Sequence, residues 1–187
     1  MDREAVKIVY HKDIIPEDLL PTYNSATIEM FLHKIPGLSE HFIYSNDDIF
    51  PIRDLNPDDF YYNNLPKLAI IEKQYNPYTK NLYRHMLFNG ENEIRDLLNL
   101  EKNKRIYHRT GHSLHPMLKS SWEKLESLIG KKLLRSCSRF REIKNFNQDI
   151  VAYYQWLSGN YFPSNRKTYQ SQLKNINRVI QAFDSDL

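Results

Sequence analysis

Four groups of residues in this sequence have types and spacing that could do chemistry. The first is Asn46-Asp47-Asp48, directly after the short apolar run Phe42-Ile43-Tyr44. In open α/β sheets ligands gather beyond the carboxyl ends of strands. Two adjacent carboxylates there can offer oxygens to Mg²⁺ at roughly 2.1 Å and leave room for water and phosphate. An Asx turn closing a strand would look the same, and is common. The second is Glu29, in the first turn of a helical stripe, where the helix N-terminus favours a carboxylate. A purely stabilising Glu is the plainer origin; a partly buried one near Asp47 and Asp48 would be a site residue. The third is His112 and His115 ahead of Pro116. H-x-x-H without a third ligand is a weak zinc signal, but one imidazole suffices as a general base or as a donor to phosphate. A lone loop histidine is more often ordinary surface. The fourth is Arg139-Phe140-Arg141, whose guanidinium forks suit phosphate oxygens while Phe140 faces a core.

Elements that would position these groups follow from periodicity. Residues 6–11 are β-branched and aromatic and predict a strand, followed by a loop with Pro16 and Pro21. Asn24 or Ser25 caps a helix with Ile28, Phe31, Leu32 and Ile35 on one face, stopped by Pro36-Gly37. A short buried strand at 42–44 completes a strand–helix–strand unit, so an α/β sheet is the natural class. Residues 51–66 lack a period and predict a long surface loop, and 67–72 a further strand. Helices are predicted at 78–88 and 91–100. Another has Pro116 as its first helical residue and a stripe of Leu118, Trp122, Leu125 and Leu128. A helix at 147–158 turns Ile150, Val151, Tyr154 and Leu157 inward and stops at Gly159. The tail at 169–183 repeats the pattern with Leu173, Ile176 and Ile180.

At 187 residues, 41% hydrophobic and 26% charged, the chain has the usage of one globular domain with a real core, and wholesale disorder is excluded. It holds no apolar run of membrane-spanning length and no leader-like opening. One cysteine, Cys137, excludes an internal disulfide and a cysteine-rich zinc site, and predicts a reducing, cytoplasmic setting. The five glycines form neither of the common glycine-rich phosphate loops. The net charge of +3 divides unevenly: residues 1–100 carry 10 basic and 16 acidic side chains, residues 101–187 carry 16 and 7. Mutual attraction of the two halves explains that simply; it also suits a site where carboxylates hold a metal and basic groups hold phosphate. The basic run at 135–141 is too short and isolated to predict a nucleic-acid partner.

Taken together, these groups resemble the Stealth family. His11-Lys12-Asp13-Ile14-Ile15-Pro16, Leu20-Pro21-Thr22-Tyr23-Asn24-Ser25, Ile28-Glu29, His33-Lys34-Ile35-Pro36-Gly37-Leu38-Ser39 and Phe42-Ile43-Tyr44-Ser45-Asn46-Asp47-Asp48, continuing through Pro57-Asp58-Asp59-Phe60-Tyr61, are similar to its second conserved region. His112-Ser113-Leu114-His115-Pro116-Met117-Leu118-Lys119, then Ser138-Arg139-Phe140-Arg141 and residues 147–159, resemble the third. The first resemblance is highly specific and the second moderately so.

What the resemblance implies is a sugar-1-phosphate transferase of bacterial capsule or exopolysaccharide synthesis, related to the catalytic subunits of the animal lysosomal-enzyme GlcNAc-1-phosphotransferase. A UDP-N-acetylhexosamine would be the donor and a glycan hydroxyl the acceptor, with UMP released and Mg²⁺ or Mn²⁺ as cofactor. The matched positions make Glu29, Asp48, His112 and Arg141 catalytic. Asp47 and Asp48 become metal ligands or polarise the acceptor. His112 becomes a base or phosphoryl stabiliser, Arg141 neutralises the pyrophosphate, and Glu29 orients a partner group or the sugar. Asn24, Asn46 and Arg139 become substrate contacts. The implied fold is a Rossmann-like or GT-A-like sheet flanked by helices, with residues 1–162 one α/β domain and 163–187 a helical tail. The family's first and fourth conserved regions have no counterpart here, and Leu114 stands where many members have proline. The expectation is therefore a central portion of such an enzyme, with an unpaired sheet edge beside Lys7 that a second chain would cover. A non-catalytic remnant or partner-binding subunit of a split enzyme is the alternative. Cytoplasmic location, with peripheral attachment at the inner membrane face left open, completes the expectation.

Overall fold

The computed structural model describes residues 6–49, 51, 53–111 and 113–164. The predicted tail helix and His112 lie outside them. The chain is mixed α/β, with its apolar core between three long helices and its strands in small sheets.

α1 (His11–Ile14) and a 3₁₀ turn (Glu17–Leu19) lead to α2 (Ser25–Glu29) and a second 3₁₀ turn (Leu32–Lys34). β1 (His41–Tyr44) follows, then α3 (Pro57–Phe60), β2 (Tyr61–Tyr62), β3 (Leu65–Leu68) and β4 (Ile71–Gln74). α4 (Leu82–Leu97), β5 (Ile106–Arg109), β6 (His115–Leu118), α5 (Lys119–Ser136), α6 (Asp149–Leu157) and β7 (Phe162–Pro163) complete the described chain. β1 pairs antiparallel with β6, and β4 with β5. β3 pairs antiparallel with β2 and parallel with β7.

α4, α5 and α6 enclose the core. Leu87 and Ile94 of α4, Trp122, Leu125, Ile129 and Leu133 of α5, and Ile150, Val151 and Tyr153 of α6 are buried together. Each such side chain withdrawn from water contributes roughly 1.5–3 kcal/mol before the entropy of ordering it.

Several local expectations are corrected. Residues 6–10 form no strand. Val6, Ile8 and Tyr10 are exposed, and extended backbone becomes a strand only when another strand takes its hydrogen bonds. The strand–helix–strand unit is therefore not formed among the described residues. The helix predicted to reach Ile35 ends at Glu29, since a turn through Met30 and Phe31 lets buried His33 lie flat on Trp122, 5.6 Å between ring centroids. The predicted loop at 51–66 holds α3 and a hairpin turned by Asn63 and Asn64, with φ of 47° and 64°. Asn is among the few residues that accept that left-handed conformation, and two in succession match the tight hairpin turn. The predicted strand at 67–72 is two strands serving different sheets.

The two helices predicted at 78–100 are one. Gly90 lies inside α4, and a Cβ there would sit 3.7 Å from the Tyr153 ring, so packing on α6 carries the helix through. Pro116 belongs to β6, facing Ile43, in a two-stranded ribbon where a missing N–H is tolerated. Leu128 is exposed because α5 kinks at Ile129 (φ −131°, ψ 21°) and returns the stripe inward there. At the end of the described chain, β7 is tied to the fold by its partner β3.

Candidate active site

β1 and β6 run antiparallel with Tyr44 opposite His115, so the end of one strand meets the beginning of the other. The turn at residues 46–48 and the loop entering β6 therefore share one end of the ribbon. α2, the N-terminal part of α4 and the loop between α5 and α6 close around that end. The result is a cleft of about 390 Å³. Asn46, Asp47 and Asp48 line it from the turn, Ser25 and Glu29 from α2, and Tyr83 and Met86 from α4. Gly111 and His115 come from the β6 side, and Arg141, Asn147 and Gln148 from the α5–α6 loop.

Glu29 is 7% exposed, at the last residue of α2. Its Oε2 accepts from the Gln148 backbone N–H at 3.1 Å, which ties the first helix of the site to the entry of α6. The Tyr44 hydroxyl stands 3.1 Å from Glu29 Oε1 and 2.6 Å from Asn46 Oδ1. Burial pushes the Glu29 carboxyl above its ordinary value. The Gln148 and Tyr44 hydrogen bonds oppose that shift, the Asp149 charge adds to it, and Arg141 opposes it. The Tyr44 phenol has one hydrogen for these two acceptors and stands between them. Burial and the Glu29 charge raise the Tyr44 phenol as well, so it stays a hydrogen-bond donor.

Arg141 is exposed at the cleft mouth, its Nη2 donating to Ser25 Oγ at 2.7 Å. Asp47 and Asp48 are also exposed. Behind the cleft, Asp149 is 1% exposed. It accepts from Thr110 Oγ1, from Asn147 Nδ2 at 2.9 Å and from the Tyr83 hydroxyl at 3.3 Å. Burial, then Asp149, raise the Tyr83 phenol and keep it a donor. Thr110 Oγ1 lies 3.2 Å from His115 Nδ1.

Of the sequence-predicted residues, Glu29, Asn46, Asp47, Asp48 and Arg141 come together here, with His115 opposite. Asn24 does not. It is 1% exposed, its Oδ1 caps α2 by accepting from Ala26 N–H at 3.2 Å, and its Nδ2 faces Asn145 Oδ1 at 3.0 Å. Its amide holds the α5–α6 loop against α2, behind the cleft lining. Arg139 is not among the lining residues: its guanidinium lies 5.6 Å from the Tyr23 ring centroid. Tyr83, Asn147, Gln148, Thr110 and Asp149 were missed. The polar run 147–149 entering an apolar helix was the available signal, and it reads equally well as a cap. Among the described residues no cluster of three His, Cys, Asp or Glu side chains is arranged to hold a metal, so a cation here would draw on the Asp47–Asp48 turn and on ligand oxygens. Among the same residues, no helix is long and apolar enough to cross a membrane.

Residues 1–68 match the family profile described as Stealth protein CR2, conserved region 2. The chain is 34% identical over 175 residues to the capsular polysaccharide phosphotransferase LcbA of Neisseria meningitidis, covering 90% of this chain and 47% of that protein. It is 32% identical over 184 residues to the capsular polysaccharide phosphotransferase cps1A of Actinobacillus pleuropneumoniae, covering 96% and 50%. A shorter match, 45% identical over 78 residues, joins it to the exopolysaccharide phosphotransferase cps2G of Lactiplantibacillus plantarum, covering 41% and 23%. The chain thus spans about half the length, or less, of these curated relatives. By these matches it belongs to the Stealth family.

Proposed function

We propose that the cleft is the transfer site of a sugar-phosphate transferase in capsular or exopolysaccharide synthesis. It moves hexose-1-phosphate, most simply N-acetylhexosamine-1-phosphate, from a UDP-sugar to a glycan hydroxyl. The acceptor oxygen attacks the sugar-proximal phosphorus and its proton passes to a base. The new P–O bond forms, the bond to the bridging oxygen breaks, and UMP leaves with that electron pair. One observation carries the reading: side chains from distant parts of the chain converge on one cleft, bringing the carboxyl groups of Glu29, Asp47 and Asp48 together with Arg141. The names of the similar phosphotransferases support it.

Catalysis of this type is positioning and charge neutralisation around phosphoryl oxygens. Arg141 offers a planar fork to the pyrophosphate. Glu29, Asp47 and Asp48 place three carboxyl groups against that one guanidinium among the described lining residues. Mg²⁺ or Mn²⁺ fits this donor set, since such ions are commonly held by one or two carboxylates together with substrate phosphates. Asp47 and Asp48 would hold it, with Asn46 beside them, and when bound it would neutralise charge on the phosphoryl oxygens. Buried Glu29, through Tyr44, fixes the orientation of Asn46. His112, outside the described residues, keeps its place in the proposal as base or phosphoryl stabiliser. The same reading carries a Rossmann-like or GT-A-like sheet flanked by helices, with a second chain as a partner that would complete it. The reaction would take place at the cytoplasmic side, where nucleotide sugars are available.

The test is UDP-GlcNAc labelled in its sugar-proximal phosphate, supplied with a glycan acceptor and Mg²⁺. Label in the glycan with unlabelled UMP released is the expected result. Label released as UDP would mean transfer of the sugar alone. A partner-binding role without catalysis would leave the donor intact.

A further inference from the structure

Asp149 opens α6 and is buried behind the cleft wall, with three neutral donors around it: Thr110, Asn147 and Tyr83. A carboxylate only accepts, so it sets the direction of every one of these hydrogen bonds. Thr110 has a single hydroxyl hydrogen and gives it to Asp149. The contact between Thr110 Oγ1 and His115 Nδ1, 3.2 Å, must then have the imidazole as donor. Neutral His115 is thereby held as its Nδ1–H tautomer, with Nε2 bare of hydrogen and an acceptor toward whatever it faces. The same logic fixes Asn147. Its Nδ2 faces Asp149 at 2.9 Å, so its Oδ1 points elsewhere, and that oxygen is buried without a hydrogen-bond donor. Asn147 is 2% exposed and, like His115, lines the cleft. An unsatisfied buried carbonyl carries a desolvation cost that a ligand donor can relieve.

We propose that Asp149 is a positioning residue that sets the polarity of this wall, directly at Asn147 and through Thr110 at His115. The wall then presents acceptors and receives ligand groups that carry hydrogen. Phosphate oxygens, which carry none in the ionised ester, go to the Arg141 side. With the cleft read as a UDP-sugar site, on which this part rests, the hydroxyl and acetamido N–H groups of the sugar face Asn147 and His115. Donor orientation would thus be encoded by one carboxylate that touches no substrate itself.

The polarity is tested without any ligand. Long-range ¹H–¹⁵N NMR of the imidazoles, at a pH where His115 is neutral, distinguishes the two tautomers. Wild type and Thr110→Ser should show Nδ1–H. Thr110→Val removes the acceptor and should shift His115 towards Nε2–H. Asp149→Asn should do the same, because its amide can donate to Thr110 and reverse the hydroxyl. Nε2–H in the wild type, or Nδ1–H persisting in Thr110→Val, overturns the proposal. Binding of UDP and of UDP-GlcNAc is then compared. Thr110→Val should lose about ten-fold in affinity for UDP-GlcNAc and stay within about two-fold for UDP. Equal loss for both overturns the assignment of the wall to the sugar. The predicted tautomer pattern with no nucleotide bound by the wild type would leave the polarity standing and remove the donor-site reading instead.

Discussion

The cleft joins two regions that are built differently. Between residues 11 and 49 the longest helix has five residues; Ile15, Met30 and Phe31 join the core, and beside them Asn24, Thr27 and Glu29 are buried and hydrogen-bonded. Between residues 82 and 157, helices of 16, 18 and 9 residues pack an apolar core around Trp122 and Ile150. The first region is specified by particular donors meeting particular acceptors, most of them on the α5–α6 loop. The second is specified by shape and volume around that core, with the buried polar networks of Glu91 and Asp149 beside it. Apolar packing sums many small, non-directional contacts, whereas each buried hydrogen bond is a single directional choice whose loss leaves an unsatisfied group. The site lies where the two meet, and buried Glu29 there is held by hydrogen bonds from both.

The sharpest break of this comparison is in the apolar region. Trp122→Ala removes a fully buried ring and should cost about 3–5 kcal/mol in urea unfolding, with the cleft residues untouched. In the polar region, Asn24→Ala should cost about 2–3 kcal/mol, combining a lost helix cap with the unsatisfied groups left on the α5–α6 loop. Unlike Trp122→Ala, it should also weaken donor binding, since the loop that carries Arg141 and Gln148 loses its tie to α2. Equal binding in the two variants would refute that distinction.

A smaller and pH-dependent effect comes from Glu29. Its carboxyl is raised in the fold above the ordinary 4.5, chiefly by burial. The folded state therefore binds this proton more tightly than the unfolded chain, and stability falls as pH rises from 4.5 through the elevated value. Glu29→Gln should flatten that decline, measured as unfolding free energy against pH. An unchanged slope would mean that Glu29 ionises as easily in the fold as in the open chain.

How much could be read beforehand divides along the same line. α6 and the body of α5 were legible because Trp122, Leu125, Ile150 and Val151 recur at helical spacing and are indeed buried. The gap predicted between 88 and 91 is closed in the fold, where packing on α6 carries α4 through Gly90. The residues at 6–10 misled because strand propensity is realised only against a partner. In the site, Glu29, Asn46, Asp47, Asp48 and Arg141 stood out as short local patterns, and the fold gathers them. Thr110 and Asp149 did not, because their relation, 39 residues apart, exists only once β5 and α6 are side by side. Asn24 matched a family position yet faces inward, since type and spacing do not say which way a side chain turns.

The most direct measurement is calorimetric titration of the purified chain with UDP-GlcNAc, with and without Mg²⁺, using wild type, Asp48→Ala and Asp18→Ala. Asp48 and Asp18 are both exposed, so both variants should keep stability within about 0.5 kcal/mol of wild type. Binding that requires Mg²⁺, falls at least about ten-fold in Asp48→Ala and persists in Asp18→Ala is the predicted result. A folded wild-type chain that takes up no UDP-GlcNAc, or an Asp48→Ala variant that binds it as wild type does, would contradict the account.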